Sequence, residues 1–502
     1  MEYCSIIMKR HRTSIILNLL AIIAVAQAAA AATKPNIIWI FSDDHSYQTI
    51  GAYGGRLQKL NMTPNIDRLA AEGMRFDRCY VSNSICGPSR AVLLTGKHSH
   101  LNGKKDNKGG FNHDQMNFAK ILQKNGYQTA MIGKIHLNGA MQGFDYWDVL
   151  PGQGKYDNPL FLSEKGKEKN TGYVTDVITD KTLAWLKDQR DKTKPFMLMM
   201  HHKAPHRNWV PANRHMEMYE DIEIPEPPTL FDDYSGRGTA AKMQDMTIDK
   251  TMILNADLKV GKWYKNNEKY ADRNAYYEKH KPTGKELVKW KYQLYMKDYL
   301  RCIWAVDESV GRVLDYLDES GLGKNTIIIY CSDQGFYMGE HGWFDKRFMY
   351  EESYRTPLIV RWPEHVKPES ANKDLVQNID FAKTFLDLAG VKAPEEMQGE
   401  SIVPLFKGKT PADWRSSLYY HYYEYPAFHH AVRRHEGVSE KRYKLIRFYG
   451  QDVPNGEEWE LYDLKEDPQE MKNEYGNSIY ATEVKRLKIE LQRLKKYYQV
   501  LE

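Results

Sequence analysis

Short apolar runs alternate along the chain with segments whose apolar residues recur every three or four positions. The runs have the length and composition of strands buried in a parallel sheet, whereas the periodic segments are typical of amphipathic helices. The clearest runs cover residues 35–42, 74–81, 128–132, 195–201, 325–331 and 357–362, and the clearest helical segments cover 116–125, 174–189, 300–320 and 380–389. Strands separated by helices predict an α/β fold with a doubly wound parallel sheet.

The pattern changes after Gly408. Four short segments there are aromatic and partly alternating, which is typical of a small antiparallel sheet. They cover residues 419–425, 430–438, 443–449 and 459–464. A final helix at 482–499 has one apolar face that can pack on this sheet. Because 502 residues exceed a single small core, we expect a large domain at 33–410 and a smaller subdomain at 411–502.

The charge balance of the chain is mild. The 71 basic and 66 acidic residues give a formal net charge of +5, and no long block of one sign is present. The sequence therefore does not favour nucleic acid as a partner.

The N-terminal segment has the pattern of a secretory signal. Basic residues within 9–12 precede an apolar stretch at 15–25, and an alanine run at 28–32 supplies small residues for cleavage. A membrane anchor is the alternative, but the apolar part is shorter than the ~20 residues of a typical span. We expect residues 1–32 to be removed from a secreted or periplasmic protein that is not inserted in a membrane.

Polar residues follow two of the predicted strands. Asp43 and Asp44 come directly after the first apolar run, and Asp333 and Gln334 come after the run at 325–331. Ligands bind beyond the carboxyl ends of strands in open α/β sheets, and oxygen donors suit a hard cation. An acidic turn is the alternative, but the repeated pattern favours a cation site.

Basic residues follow two further strands. Lys134 and His136 come after the run at 128–132, and His206 closes a histidine-rich segment after the run at 195–201. Imidazole suits zinc or copper better than calcium, and histidine titrates near neutral pH. We therefore interpret His206 as an anion contact or proton donor rather than a metal ligand.

The segment at 84–96 combines a cysteine, a Gly-Pro pair and an apolar run closed by glycine. Pro88 suits the first turn of a helix, and Gly96 suits its end. Cys86 should then lie at a helix N-terminus, where backbone N–H groups favour anionic atoms. An ordinary buried cysteine is the alternative. One disulfide among Cys79, Cys302 and Cys331 is possible, but its pairing cannot be read from sequence.

The pattern Cys-x-Pro-Ser-Arg, followed by an apolar run and Thr-Gly, resembles the hallmark of the type I sulfatases. The resemblance implies an alkaline-phosphatase-like α/β fold, with a doubly wound mixed sheet flanked by helices and a smaller C-terminal antiparallel sheet. It also implies that a separate maturation enzyme oxidises Cys86 to formylglycine. The implied Ca²⁺ ligands are Asp43, Asp44, Cys86, Asp333 and Gln334, and the implied catalytic residues are Cys86, Arg90, Lys134, His136, His206 and Lys346.

The resemblance also implies a mechanism. A hydroxyl of hydrated formylglycine attacks sulfur, His206 protonates the leaving sugar oxygen with help from Lys346, and His136 later removes a proton from residue 86. Arg90, Lys134, Lys346 and calcium neutralise charge on the sulfuryl oxygens.

The region 419–450 resembles the C-terminal region of sulfatases acting on 6-O-sulfated N-acetylglucosamine, which implies exo action on a sulfated glycan in glycosaminoglycan or mucin breakdown. We expect His430, Arg433 and His435 to contact the sugar, while most aromatic residues of this region pack the small sheet. Three alternatives stay open: another carbohydrate sulfatase such as a uronate 2-O-sulfatase, a phosphomonoester or phosphonate hydrolase, and a non-catalytic binder of sulfated glycans.

Overall fold

The structure is a computed structural model that describes residues 34–139, 141–427 and 430–501. The predicted signal segment at 1–32 lies outside these residues. Within them, none of the helices combines the length and the apolarity needed to cross a membrane.

The strands form three sheets. Their bounds are β1 Asn36–Ser42, β2 Met74–Phe76, β3 Cys79–Tyr80, β4 Gln128–Lys134, β5 Tyr146–Leu150, β6 Leu160–Ser163, β7 Gly166–Lys169, β8 Phe196–His201, β9 Thr326–Ser332, β10 Leu358–Arg361, β11 Ser370–Asn372, β12 Val376–Gln377, β13 Ser417–Tyr422, β14 His435–Glu440, β15 Tyr443–Tyr449 and β16 Glu457–Asp463.

The α-helices cover the large sheet and one face of the small C-terminal sheet. Their bounds are α1 Pro64–Ala71, α2 Cys86–Thr95, α3 Ser99–Asn102, α4 Phe118–Lys124, α5 Val174–Ala184, α6 Thr239–Met243, α7 Ala271–His280, α8 Gly284–Glu319, α9 Glu351–Tyr354, α10 Phe381–Leu388, α11 Val403–Phe406 and α12 Ala481–Tyr497. A π-helical turn at Trp185–Gln189 extends α5.

The large sheet has the strand order β11-β2-β10-β9-β1-β8-β4-β5-β6-β7. Its centre is parallel, because β1 pairs in parallel with both β8 and β9, and β4 pairs in parallel with β8 and β5. Strand β10 runs antiparallel to β9, and β6 and β7 extend the other side in antiparallel fashion. The sheet is therefore mixed and the fold is α/β, as the resemblance implied.

Residues of β1 alternate between two cores. Ile38 and Ile40 pack in one core with helices α1, α5 and α8, whereas Ile37, Trp39 and Phe41 pack in the other core with α2, α4 and α10. This alternation follows from the two-residue repeat of a strand. It explains why the central strands read as continuous apolar runs.

The small sheet joins β13, β14, β15 and β16 in antiparallel order. One face packs on α12 through Leu487, Leu491 and Leu494. The other face packs against Phe348 and Met349 of the preceding part of the chain. The predicted antiparallel sheet and terminal helix are therefore present in the structure.

A strand and a helix that we predicted from the sequence differ from those in the structure. The run at 74–81 is split between β2 and β3, which belong to different sheets: β2 pairs with β10 and β11, whereas β3 pairs with β12. Helix α8 begins sixteen residues before the predicted start at 300. Its first half contributes Val288, Tyr292 and Tyr295 to the core, and their helical spacing is hidden among many lysines.

The remaining cysteines are free thiols. Cys79, Cys86, Cys302 and Cys331 are all buried and unbridged in the described part of the chain. The possible disulfide among three of them is therefore not formed.

A buried ionic network fixes α8 to the segment before it. Asp298 of α8 accepts two hydrogen bonds of 2.9 Å from Arg273, one of 3.2 Å from Lys259 and one of 3.4 Å from Arg301. Burial acts to raise the pKa of Asp298, but the three cations hold it well below its usual range. The carboxylate is therefore ionised in the folded protein and balances buried positive charge.

We expect Asp298→Asn to lower the free energy of unfolding by about 3 kcal/mol, because breaking a buried ionic network leaves cations uncompensated. Urea unfolding at neutral pH measures this change. Asp315→Asn is the matched control, since Asp315 lies on the same helix but its side chain is 62% exposed in an ion pair with Arg68. The control should change the free energy by less than about 1 kcal/mol, and an equally small effect of Asp298→Asn would contradict the assigned role.

Candidate active site

Two adjacent parallel strands deliver the acidic residues to one point. Strands β1 and β9 pair in register up to Ser42 and Ser332, so the residues that follow each strand emerge side by side. The Asp44 N–H donates to Asp333 Oδ1 at 3.0 Å, and Gln334 Nε2 donates to the same oxygen at 2.8 Å. Asp44 has a φ of +66°, which turns the chain sharply away from the strand.

Cys86 is the first residue of α2, and Gly96 ends this helix in the left-handed conformation. The Cys86 Sγ lies 3.9 Å from Asp44 Oδ1 and 3.2 Å from Lys346 Nζ. A Cβ at Gly87 would lie 2.8 Å from Asn107 Oδ1 and would displace the side chain that accepts from the Gly87 N–H at 2.9 Å. Burial raises the pKa of the Cys86 thiol despite the nearby Lys346, and the thiol is therefore protonated at neutral pH.

The acidic residues and Cys86 form one compact cluster. One ligand atom from each of Asp43, Asp44, Cys86 and Asp333 lies within 4.8 Å of the others. Asp44 Oδ2 and Gln334 Oε1 are buried without a hydrogen-bond partner, and such atoms are costly unless something binds them. Carboxylate and amide oxygens are the donors that calcium takes. The residues present therefore fit a hard divalent cation.

Three cationic side chains contact these carboxylates. Arg90, which is 1% exposed, places Nη2 at 3.0 Å from Asp333 Oδ2 and 3.3 Å from Asp43 Oδ1. Lys134 donates to Asp43 Oδ2, and Lys346 donates to Asp44 Oδ1. Burial acts to lower the pKa of Lys346, but the carboxylates and Cys86 raise it above its ordinary value. Lys346 therefore keeps its charge beside residue 86.

Two of the predicted histidines border the same cluster. His206 Nδ1 donates to Arg207 O, which leaves Nε2 facing Asp44 Oδ2 at 3.8 Å. Burial, with Lys134, Lys203 and Lys346 nearby, holds the pKa of His206 well below its usual range. Burial and neighbouring cations likewise lower the pKa of His136 to about 2. Both imidazoles are therefore neutral in the free protein, and His136 Nδ1 is buried without a partner.

The segment around Lys346 is strained. Its neighbours Asp345 and Arg347 have φ values of +84° and +96°, a region that residues with a side chain adopt at a cost. Arg347 Nη1 donates to Tyr422 Oη at 3.2 Å, and Asp345 Oδ2 lies 3.4 Å from His430 Nδ1. This segment therefore joins the Lys346 side of the cluster to the C-terminal region that carries His430.

The structure does not bring the three predicted sugar contacts together. His430 lies at the rim beside Asp345. Arg433 instead donates to Thr239 Oγ1 and is 7% exposed.

The prediction that His435 contacts the sugar is wrong. Its side chain is fully buried, Nδ1 donates to Arg433 O at 2.7 Å, and Nε2 accepts from the Met349 N–H at 3.2 Å. Its ring stacks near Tyr420 and Phe448. Both ring nitrogens are occupied, so His435 is a packing residue of the small sheet.

Sequence reasoning missed two polar residues next to the cluster. Gln153 Oε1 accepts from Lys134 Nζ at 2.5 Å, and nothing in its surroundings in the sequence distinguishes it. Lys203 is 4% exposed, and burial lowers its pKa to about 8 while Asp44 and Cys86 act to raise it. Its position between the histidines after β8 is the signal that could have identified it.

Family models and individual relatives match both the N-terminal and the C-terminal part of the chain. The family model described as Sulfatase matches residues 35–391, and the one described as N-sulphoglucosamine sulphohydrolase, C-terminal, matches residues 339–497. An N-acetylglucosamine-6-O-sulfatase of Bacteroides thetaiotaomicron is 48% identical over 98% of this chain and 92% of its own length. A human N-acetylglucosamine-6-sulfatase is 29% identical over 80% of this chain and 69% of its own.

A solved structure agrees with these matches. A protein bound to its substrate, D-glucosamine-2-N,6-O-disulfate, superposes with a TM-score of 0.89 at 49% identity, covering 93% of this chain and 98% of that one. The fold is therefore the alkaline-phosphatase-like fold of its relatives. With the family match spanning most of the chain, the protein belongs to the sulfatase family and is a sulfuric ester hydrolase.

Proposed function

We propose that this sulfatase removes the 6-O-sulfate from a terminal N-acetylglucosamine of sulfated glycans, in the breakdown of glycosaminoglycans or mucins. The observation that carries the substrate is the 48% identity, over nearly the whole chain, to an N-acetylglucosamine-6-O-sulfatase. The relative with TM-score 0.89 has D-glucosamine-2-N,6-O-disulfate bound, which supports the glucosamine ring and the 6-O-sulfate but carries an N-sulfate in place of the N-acetyl group.

Residue 86 is proposed to carry the nucleophile. Oxidation of Cys86 to formylglycine by a separate maturation enzyme would supply a hydrated aldehyde whose hydroxyl attacks sulfur. This assignment is supported by the position of Cys86 at a helix N-terminus, within reach of Asp44 and Lys346. The protonated thiol itself would be a weak nucleophile.

Asp43, Asp44, Asp333 and Gln334, with residue 86, are proposed to hold a calcium ion, which would polarise the sulfuryl group. Their support is the compact cluster and the two buried oxygens without partners. Arg90 and Lys134 hold Asp43 and Asp333 in place. Lys346 presents its charge directly beside residue 86, where negative charge would develop on the sulfuryl oxygens.

The two histidines are proposed to move protons. His206 directs Nε2 into the cluster, and an anionic sulfate next to it would raise its pKa, so that it can protonate the leaving sugar oxygen. His136 is neutral with a free Nδ1, which is the form that accepts a proton from residue 86.

We expect His206→Ala to lower kcat/KM for a 6-sulfated sugar about 10²–10⁴-fold, the range for loss of a general acid. An aryl sulfate with an acidic phenol should lose far less, because its leaving group departs without a proton. Steady-state kinetics on both substrates measures the ratio. His215→Ala is the control, since His215 is buried but pairs with Glu308 at 3.0 Å, outside the site. Equal losses on both substrates would contradict an acid role.

The sugar is proposed to contact the rim formed by Asp345, Arg347 and His430. The strained backbone at residues 345 and 347 supports a functional role. The carboxylate and guanidinium offer an acceptor and a donor pair for sugar hydroxyls. Arg433 donates to Thr239 Oγ1 and is not assigned to this rim.

Assays on monosaccharides sulfated at single positions test the substrate. We expect hydrolysis of 6-O-sulfated N-acetylglucosamine at least tenfold faster than that of the 3-O isomer or a 2-O-sulfated uronate. Preference for the uronate would favour a uronate 2-O-sulfatase, and preference for a phosphonate ester would favour a phosphonate hydrolase.

Mass spectrometry of the peptide containing residue 86 tests the nucleophile. Conversion exchanges sulfur and two hydrogens for one oxygen. If the protein is produced in a host that matures sulfatases and residue 86 is still found only as a thiol, that result would support a non-catalytic glycan binder.

The proposal also includes secretion or export to a periplasm, and the division into domains at 33–410 and 411–502.

A further inference from the structure

A second polar cavity lies beside α9, with a volume of about 480 Å³. None of the described residues that line it was assigned to the active site above. Three tyrosines and several cations line it, among them Tyr47, Tyr53, Tyr80, Arg78, Arg355 and Lys373.

Arg355 pairs directly with no acid among the described residues, although Glu351 lies near enough to act on its charge. Its guanidinium makes neither a hydrogen bond nor an ion pair with the residues the structure describes, and Nε is buried. Its Cζ lies 4.1 Å from the centroid of the Tyr47 ring and 5.8 Å from that of Tyr53. The aromatic rings hold the guanidinium in place without neutralising it.

Three acids also line the cavity, and two of them are paired with cations. Glu351 accepts from Lys444 at 2.8 Å, and Asp77 accepts from Arg75 at 2.7 Å. Glu352 also lines the cavity, with Oε2 buried and unbonded and 3.7 Å from His341 Nε2. A second guanidinium, that of Arg75, lies 5.5 Å from the Tyr53 ring.

Two further cations add to the positive charge. Among the residues that the structure describes, the Arg78 side chain donates only to the Lys441 carbonyl, at 2.8 Å, and Lys373 has no ion pair. Guanidinium groups bind sulfate and carboxylate in bidentate fashion, and Glu352 offers an acceptor for a hydroxyl.

The wall of this cavity supports the active site from behind. The Gly335 N–H, next to Gln334, donates to Ser353 O at 2.9 Å. A Cβ at Gly335 would lie 2.1 Å from Glu352 O and 2.4 Å from Arg355 O. The segment that carries Arg355 therefore packs directly on the loop that carries Asp333 and Gln334.

We propose that this cavity binds the sulfate or carboxylate group of an acidic sugar, with Arg355 as the principal contact, at a second site separate from the catalytic pocket. The binding chemistry is shared by two sources: a sugar unit of a glycan chain, and the free sulfate released by hydrolysis. The proposal does not depend on which sulfated sugar the catalytic site hydrolyses.

Arg355→Gln tests the proposal in the full-length protein. Isothermal titration with sodium sulfate, and separately with a sulfated uronate-containing disaccharide, counts the sites. We expect two binding sites in the unaltered protein, and in the variant an affinity at the second site that is at least tenfold lower. Activity on a monosaccharide sulfate should change less than threefold. Arg312→Gln is the matched control, because Arg312 pairs with Asp180 at 2.6 Å on an exposed surface.

Crystals soaked in selenate, a heavier analogue of sulfate, locate the site through anomalous scattering. A peak at Arg355 that the variant loses supports binding of the free anion. If the disaccharide binds in a way that depends on Arg355 and the free anion does not bind, the ligand is a sugar unit of a glycan chain. One site for both probes, or a second site unchanged in Arg355→Gln, would overturn the proposal. If Arg355→Gln does not fold, Lys373→Gln at an exposed position should weaken the second site at least threefold.

Discussion

Replacing Cys86 by alanine is expected to lower kcat for any sulfate ester by about 10⁴–10⁶-fold, the range for removal of a catalytic nucleophile. Alanine leaves no group that can be oxidised to an aldehyde and no atom that can attack sulfur. The fold should persist, since Cys86 contributes little apolar surface and its helix keeps both ends. Single-turnover kinetics on an aryl sulfate, with circular dichroism for the fold, gives the measurement.

Cys302→Ala is the matched control, because Cys302 is an equally buried free thiol within the core of α8. It should retain activity within about threefold. Substantial turnover by Cys86→Ala would show that another group attacks sulfur.

Asp333→Asn should remove most of the bound divalent ion and lower activity at least about 10³-fold, since one carboxylate is lost from the cluster and Arg90 loses its 3.0 Å partner. Metal content after dialysis, measured by elemental analysis, gives a readout that does not depend on turnover. We expect about one calcium per chain in the unaltered protein.

Asp148→Asn provides the comparison, because Asp148 is also a buried carboxylate but pairs with Lys181 at 2.7 Å on β5. Its metal content should equal that of the unaltered protein. If Asp333→Asn also retained its full metal content, the proposed ligand set would be wrong.

The central sheet was predictable because its strands are buried on both faces. Residues 35–42 and 325–331 read as continuous apolar runs, and the structure pairs them in parallel. The direction of β10 was not predictable, since an apolar run of four residues carries no signal for parallel or antiparallel pairing. The early start of α8 was missed because its buried tyrosines are interleaved with lysines.

The site was predictable to the extent that its residues follow strands directly. Asp43 and Asp333 follow the adjacent strands β1 and β9, and Lys134 ends β4, which lies beyond β8 in the same sheet, so all three reach the same edge of the sheet. Gln153 lies in a loop whose path depends on tertiary packing, whereas Lys203 follows β8 by two residues and could have been identified by the same reasoning. His435 was misjudged because a histidine in an aromatic strand looks the same in sequence whether it faces a ligand or the core, and only the structure shows its 3.2 Å bond to Met349.

The pairing of Asp43, Asp44 and Asp333 with Arg90, Lys134 and Lys346 has a thermodynamic consequence. The formal charges of these six side chains sum to zero. A divalent ion bound at the proposed site would add two positive charges that they do not cancel, and an incoming sulfate would cancel part of them. The affinities for metal and for sulfate would then be linked, each tightening the other by the same factor.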